Sequence, residues 1–131
     1  MKKFNHQLME NNITQSDKQS MIKFIKKSNI FTQSKNVEKF ERQWSKWLGV
    51  KYSVFVNSGS SANFISISAL KYLNKNKFKN EIIVPPFTWI SDVSSIILNN
   101  FKPIFVDINL KNLSMDEEQI KKKISKKTLA V

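Results

Sequence analysis

Apolar residues recur at helical spacing in two stretches of the first fifty residues. The first stretch, 14–27, has Thr14 or Ser16 available as an N-cap, and its apolar positions are Met21, Phe24 and Ile25. The second stretch, 37–48, ends just before Gly49, a residue that suits a helix C-cap. Its apolar stripe comprises Val37, Phe40, Trp44, Trp47 and Leu48. The pattern predicts two amphipathic helices, with both tryptophans of the second helix in a core.

Beyond residue 50, short apolar runs alternate with stretches of helical periodicity. The apolar runs predict four buried-type strands, at 52–56, 81–84, 102–108 and 128–131. The periodic stretches predict three helices, at 63–73, 89–100 and 114–124. The last helix opens with Ser114 three residues before Glu117, which predicts a capping box. Strands separated by helices indicate βαβ units, so the predicted fold is α/β with a mostly parallel sheet and helices on both faces.

The expected apolar faces of the two longer helices follow from residues spaced three or four apart. The helix at 63–73 presents Phe64, Ile67, Leu70 and Leu73. The helix at 89–100 presents Val93, Ile96 and Ile97. We expect these residues to cover the sheet.

The length of the chain allows one domain with a core, since it has 131 residues and 40% of them are hydrophobic. The chain stops inside an apparent strand, which is unusual for a complete domain. We therefore expect a single incomplete domain over 1–131, the N-terminal part of a longer protein. Residues 1–50 would form N-terminal helices, and residues 51–131 would begin an α/β domain.

The net charge of +12 raises the question of nucleic-acid binding. The lysines are spread from Lys2 to Lys127 and Arg42 is the sole arginine, whereas phosphate-gripping surfaces favour the bidentate guanidinium. A solvated basic surface is the simpler interpretation, and nucleic acid is not an expected partner. The chain has no cysteine, which excludes disulfides and zinc–thiolate sites, and we predict no metal site. It also has no signal-peptide pattern and no membrane-length apolar run, so a soluble cytoplasmic protein is expected.

A run of small polar residues, "NSGSS" at 57–61, joins the first predicted strand to the helix that follows it. In a parallel sheet this junction lies at the edge where ligands bind. Gly59 allows a positive φ or close approach to a ligand, and Ser60 and Ser61 offer hydroxyls beside the unpaired amides of the first helical turn. Those amides favour an anion such as phosphate. The alternative is that the serines only cap the helix, since no Walker or dinucleotide motif is present.

A second junction of the same kind occurs in "VPPFTWIS", 84–91. Pro85 and Pro86 stop the preceding strand, so the residues after them also lie at the predicted ligand edge. Trp89 could lay a flat face against a planar aromatic ligand. The alternative is that its indole packs between helices.

Together the two junctions and the helix leading into the first resemble the DegT/DnrJ/StrS family of sugar aminotransferases. The matching segments are "LGVKYSVFVNSGSSAN", "EIIVPPFTWIS" and "KPIFVDINLKNLSMDEEQIKKKISKKTLAV", which cover about residues 30–131. The family consists of fold-type I enzymes that depend on pyridoxal 5′-phosphate (PLP). The resemblance implies that residues 51–131 begin the PLP-binding large domain. One departure is Ser34, where the family usually has a glycine before the helix.

The resemblance implies roles for four residues. Gly59, Ser60 and Ser61 would hold the cofactor phosphate, and Trp89 would stack on the pyridine ring. The family's aspartate for the ring nitrogen, its further phosphate-binding serine and its cofactor-binding lysine would all follow position 131. No catalytic residue is therefore assigned within the chain, and the isolated chain is expected to be inactive. By the same resemblance the whole protein would be a homodimer that acts on a nucleotide-linked sugar in polysaccharide or glycan biosynthesis.

The reaction itself is left open between two activities of the family. Amino transfer to a nucleotide-linked keto sugar is the commoner activity, and we place it first. Asn63 stands where most of the aminotransferases carry an apolar residue, and with "TW" it resembles the branch of sugar 3-dehydratases, in which a histidine replaces the lysine. Two further alternatives are a non-catalytic basic binding module and a truncated product without a function of its own.

Overall fold

The computed structural model describes residues 11–131; residues 1–10, where the sequence shows no signal-peptide pattern, lie outside the described residues. The described chain forms two compact units, one ending at Phe55 and the other comprising Val56–Val131. The first unit contains helices α1 (Gln15–Lys27) and α2 (Lys35–Leu48). The second contains α3 (Gly59–Leu73), β1 (Glu81–Val84), α4 (Ile90–Leu98), β2 (Lys102–Phe105), α5 (Glu117–Lys123) and β3 (Thr128–Ala130).

Both predicted helices of the first unit are confirmed, and their ends follow from local chemistry. Thr14 is the N-cap of α1, and its side chain and that of Asp17 satisfy each other's backbone N–H groups in a capping box. Gly49 ends α2 in the left-handed conformation, with φ of 75°. Ser34 precedes α2 in an extended conformation with φ of −142°, so the turn at this position does not require a glycine.

The predicted burial of the two tryptophans of α2 is wrong. Trp44 is 45% exposed and Trp47 is 74% exposed. Their rings contact each other, with centroids 4.9 Å apart, and Trp44 also stacks on Phe40. An apolar stripe is buried only where another element lies against it. Within the described part of the first unit, the one buried residue of α1 and α2 is Ser45.

The predicted strand at 52–56 is also wrong, because these residues do not join the described sheet. Val54 is 77% exposed, so the segment is not a buried strand. Its polar groups bond to α2: the Phe55 N–H donates to Glu41 Oε1 at 2.8 Å, and Ser45 and Ser53 share a hydroxyl hydrogen bond of 2.8 Å. A run of β-branched and aromatic residues becomes a strand only with a partner for its backbone, and the sequence of the run does not specify one.

The sheet of the second unit confirms the predicted parallel α/β arrangement. Its strand order is β2-β1-β3, and β1 pairs in parallel with both neighbours. Alternation along β1 sends Ile82 and Val84 into one cluster with Ile96 and Phe101. Partly buried residues of the helices and of β3 pack on this cluster: Ile67, Leu70, Val93, Leu129 and Ala130. Among the residues expected on the two helical faces, Phe64, Leu73 and Ile97 are instead 42%, 71% and 54% exposed.

The predicted cap of the last helix is corrected by two residues. Asp116, not Ser114, is the N-cap of α5, and its side chain accepts a hydrogen bond from the Gln119 N–H. The Ser114 hydroxyl donates to Asn112 Oδ1 at 2.9 Å in the preceding turn. An aspartate caps as well as a serine, and the shorter helix leaves Ser114 outside it. Within residues 11–131, no helix has the length and apolar character needed to cross a bilayer.

Candidate functional site

The first turn of α3 leaves two backbone amides available. Ser58 is the N-cap in an extended conformation, and its hydroxyl oxygen accepts the Ser61 N–H at 3.1 Å. The Ala62 N–H donates to the Ser58 carbonyl oxygen at 3.1 Å. Within residues 11–131, the N–H groups of Gly59 and Ser60 donate to no protein atom. Capping and anion binding are therefore compatible at this turn: the Ser58 hydroxyl accepts the third N–H of the turn, and the first two N–H groups are left to donate to an anion.

Gly59 faces open space. A Cβ built on this residue would meet no atom within 4 Å, and its φ lies outside the left-handed region that favours glycine. Of the two roles expected of this glycine, a positive φ is therefore wrong, and close approach to a ligand is the role that remains. Ser60 is exposed beside it, and Ser61 is half-buried with its hydroxyl 3.1 Å from that of Ser58.

Trp89 lies at the start of α4, five residues after the end of β1. It is the N-cap of α4, and its carbonyl oxygen accepts the Asp92 N–H at 2.9 Å. Its indole is 73% exposed, so it does not pack between helices. A large aromatic face left in water at the carboxyl end of the central strand is suited to stacking on a planar ligand.

Side-chain hydrogen bonds join the first turns of α3 and α4. The Asn63 side-chain amide donates to the Ser91 hydroxyl at 3.2 Å and to Asp92 Oδ1 at 2.5 Å. The Thr88 hydroxyl donates to the other oxygen of Asp92. The structure thus joins the helical turn that follows Gly59 to the turn that follows Trp89, although the strand expected to carry the first junction is not formed.

Sequence reasoning missed the N-cap of α3 and the roles of the residues that join the two helix starts. Ser58 could have been found from its position three residues before Ser61, the spacing between an N-cap and the backbone N–H that donates to it. Asn63 was noticed only as a departure from the family pattern. Asp92 carried a weaker signal, as an acidic residue in a first helical turn. Nothing in the sequence pairs Asn63 with Asp92, since 29 positions separate them.

A concavity of about 610 Å³ lies within the first unit. Its walls come from α2 and from the segment that follows it, and they include Glu38, Glu41, Arg42, Lys46 and Tyr52. Mixed charges line this open depression, and no planar apolar face is matched there to an anion site. We therefore place the candidate site at the α3 and α4 starts, where donors and an exposed indole occur together.

The lysines of the described chain form a solvated surface. The single ion pair within residues 11–131 joins Lys121 to Glu118 at 2.7 Å, and both side chains are more than half exposed. Such a pair contributes little to stability. The distinctive features of the second unit are therefore its parallel sheet and the two helix starts, which define an α/β protein with a ligand edge beyond the strand ends.

Comparisons with known proteins identify the family to which this fold and sequence belong. The sequence pattern of the DegT/DnrJ/EryC1/StrS aminotransferase family matches residues 12–131. A GDP-4-keto-6-deoxy-D-mannose 3-dehydratase of Yersinia pseudotuberculosis is 39% identical over 106 residues, which are 79% of this chain and 27% of the relative. A GDP-perosamine synthase of Vibrio cholerae is 32% identical over 102 residues, which are 78% of this chain and 27% of the relative. The chain belongs to the DegT/DnrJ/EryC1/StrS aminotransferase family.

A solved structure confirms the fold class. The E. coli GDP-4-keto-6-deoxy-D-mannose-3-dehydratase, solved with bound hydrated PLP, matches with a TM-score of 0.83 and 30% identity over 95% of this chain. The match covers 32% of that protein. The α/β fold expected from the resemblance is therefore that of fold-type I enzymes, and the chain spans between a quarter and a third of the length of these three relatives.

Proposed function

We propose that this chain supplies the cofactor-binding turn and the ring-stacking indole of a PLP-dependent enzyme that modifies nucleotide-linked keto sugars for polysaccharide or glycan biosynthesis. The observation that carries the proposal is the joining of two helix starts. One start has open space beside Gly59 and two N–H groups, of Gly59 and Ser60, that donate to no protein atom within residues 11–131, and the other carries the exposed indole of Trp89. Family membership supports the same assignment.

The residues present fit the cofactor. The amides of Gly59 and Ser60 would bind its phosphate at the positive end of α3, with the Ser60 and Ser61 hydroxyls as further donors. The absence of a side chain at Gly59 lets the phosphate approach the backbone. Trp89 would cover one face of the pyridine ring and exclude water from it. When bound, PLP supplies an electron sink that stabilises negative charge on the substrate carbon.

Two reactions remain candidates for the whole protein. Amino transfer is the commoner activity in the family, and the Vibrio cholerae relative is a perosamine synthase. A specific observation favours 3-dehydration as the second candidate: identity is higher with the Yersinia pseudotuberculosis dehydratase than with that synthase. Asn63, the residue that pointed to the dehydratase branch, also lies in the hydrogen-bonded connection between the two helix starts.

Cofactor binding is tested with pyridoxamine 5′-phosphate, because this form has no aldehyde to react with the many lysines. Calorimetric titration of the chain should show saturable binding that Gly59→Val abolishes. Trp89→Ala should weaken binding of pyridoxamine 5′-phosphate and leave inorganic phosphate unchanged, because the indole contacts only the ring. Equal binding by the parent chain and both variants would refute the site.

The same variants separate the enzyme from a basic binding module. Affinity for duplex DNA that falls steeply with salt but survives Gly59→Val and Trp89→Ala would favour the module. The reaction is tested on the whole protein, which is incubated with GDP-4-keto-6-deoxy-D-mannose and glutamate. Mass spectrometry distinguishes a product that gained an amino group from one that lost the 3-hydroxyl.

Three further expectations accompany this proposal. A homodimer is expected for the whole protein, which sedimentation velocity measures. A cytoplasmic location fits a cysteine-free chain that acts on nucleotide sugars, and cell fractionation checks it. The division into N-terminal helices over 1–50 and the start of a cofactor-binding domain over 51–131 stays a prediction, testable by limited proteolysis.

A further inference from the structure

Helices α3 and α4 are connected by two separate sets of polar side chains. One set lies at the helix starts and consists of Asn63, Thr88, Ser91 and Asp92. The other lies farther along both helices, where the Ser68 hydroxyl is 2.9 Å from Asn99 Oδ1 and the Asn99 side-chain amide donates to the Phe64 carbonyl oxygen at 3.5 Å. Apolar packing through Ile67, Leu70, Val93 and Ile96 already holds the two helices against the sheet. The polar set at the helix starts is therefore not needed to bring them together.

The set at the helix starts acts on both sides of Trp89. Both carboxylate oxygens of Asp92 are occupied, one by the Asn63 amide and the other by the Thr88 hydroxyl. Thr88 directly precedes Trp89, and the backbone N–H of Asp92 donates to the Trp89 carbonyl oxygen. The backbone that carries the indole is thus fixed at two points relative to a single side chain of α3.

That side chain lies one helical turn after the anion-binding residues. Asn63 is four positions from Gly59 in the same helix, so its place relative to the Gly59 and Ser60 amides is set by the helix itself. A rigid helix on one side and a two-point attachment on the other fix where the indole lies relative to those amides. The indole is 73% exposed, so its place relative to those amides depends on the backbone that carries it.

We propose that Asn63 and Asp92 are positioning residues that hold the Trp89 indole in register with the anion-binding amides of α3. The inference rests on the proposed function and adds to it a reason why phosphate and ring are recognised as one rigid ligand. A preorganised pair of contacts binds more tightly than two independent ones, because less freedom is lost on binding. The Asp92 carboxylate serves this role through its two acceptor oxygens and not through its charge.

The test uses two probes, inorganic phosphate and pyridoxamine 5′-phosphate, on the same variants. Asn63→Ala and Asp92→Ala should each weaken pyridoxamine 5′-phosphate about tenfold, the order of a lost aromatic stacking contact. Inorganic phosphate should change by less than about twofold, since the amides of α3 remain in place. In the Asn63→Ala background, a further Trp89→Ala change should have little effect, because the indole is no longer held in register.

Two controls separate positioning from stability. Asp92→Asn keeps an acceptor for Asn63 and a hydrogen-bonding group for Thr88, so it should restore nearly the affinity of the parent chain. Ser68→Ala removes the shorter bond of the other polar connection and leaves the buried Asn99 Oδ1 without that partner, so it should lower the urea midpoint of unfolding. Ser68→Ala should leave the affinity for both probes unchanged. If the two helices were instead generally loosened against each other, this variant would also bind the probes more weakly.

The outcomes distinguish this inference from the proposed function. If the parent chain binds neither probe in a way that depends on Gly59, the proposed function fails and the inference with it. If binding depends on Gly59 and Trp89 but Asn63→Ala and Asp92→Ala bind as the parent does, only the positioning role is overturned. The positioning role is also overturned if Asn63→Ala and Asp92→Ala lose affinity equally for both probes. It is likewise overturned if Ser68→Ala loses as much affinity for pyridoxamine 5′-phosphate as Asn63→Ala does.

Discussion

Replacing Gly59 with alanine should change ligand binding at the candidate site without lowering the stability of the fold. The added Cβ would meet no atom within 4 Å, and the backbone of Gly59 lies outside the left-handed region, so alanine fits without strain. Alanine gains ~0.5–1 kcal/mol over glycine inside a helix, and less in the first turn. We expect the free energy of unfolding of Gly59→Ala to be unchanged or higher by no more than about 1 kcal/mol.

The same methyl group occupies the space that a phosphate needs. It would hold the phosphate away from the amides of Gly59 and Ser60, which otherwise donate charge-assisted hydrogen bonds. Losing one such bond costs about 1.5–3 kcal/mol, which corresponds to a roughly tenfold to hundredfold weaker complex. Calorimetric titration with inorganic phosphate and pyridoxamine 5′-phosphate measures this loss, and urea unfolding followed by far-ultraviolet circular dichroism measures the stability.

Gly49 provides the matched control, since the chain has two glycines. It has φ of 75° and nothing within 4 Å of a built Cβ, so Gly49→Ala adds backbone strain without a clash. That strain costs about 1–2 kcal/mol and should leave phosphate binding unchanged. The reasoning is refuted if Gly59→Ala destabilises the fold as Gly49→Ala does, or if it binds both probes as tightly as the parent chain.

Two more predictions concern the fold. Ile96 is 2% exposed in the core, whereas Ile97 is 54% exposed. We expect Ile96→Ala to lower the free energy of unfolding by about 2–5 kcal/mol and Ile97→Ala to lower it by less than about 1 kcal/mol. Similar urea midpoints for the two variants would contradict the assigned face of α4. The pKa of Asp17 lies below its ordinary value of 3.8, because the carboxylate accepts hydrogen bonds from the Thr14 hydroxyl and backbone N–H. Because the pKa is lower in the folded state, the ionised Asp17 stabilises the fold above pH 3.8, and this stabilisation is lost as the pH falls through the folded pKa. The helical circular dichroism signal of Thr14→Ala should therefore change less than that of the parent chain over this pH range. The same pH dependence in both chains would show that the capping box does not couple to α1.

Local chemistry in the sequence predicted many of the elements. The helix ends at Thr14 and Gly49 depend on contacts between residues no more than five positions apart, so the sequence pattern was sufficient to find them. Strands β1, β2 and β3 were found because short apolar runs bounded by turns and helices predict parallel strands. The small-residue turn and Trp89 were found in the same way, as junctions between a strand-like run and a helix.

Partners distant in sequence were beyond that reasoning. The run at 52–56 has the composition of a strand, but pairing requires a neighbour whose backbone groups are free, and α2 side chains take two of its polar groups instead. The stripe of α2 has the period of a buried face, yet Trp47 is largely exposed because burial depends on what lies opposite. The choice of Ile96 over Ile97 for the core likewise depends on where the sheet lies.

The sequence by itself determined the family, the parallel α/β class and the two junctions that carry the candidate site, because these depend on short motifs and periodicity. Only the tertiary structure decided that Asn63 meets Asp92 across 29 positions and that Gly59 faces open space. The physical reason is range: capping and periodicity act within one or two helical turns, whereas the relation of an anion site to an indole is set by how two helices pack on a shared sheet.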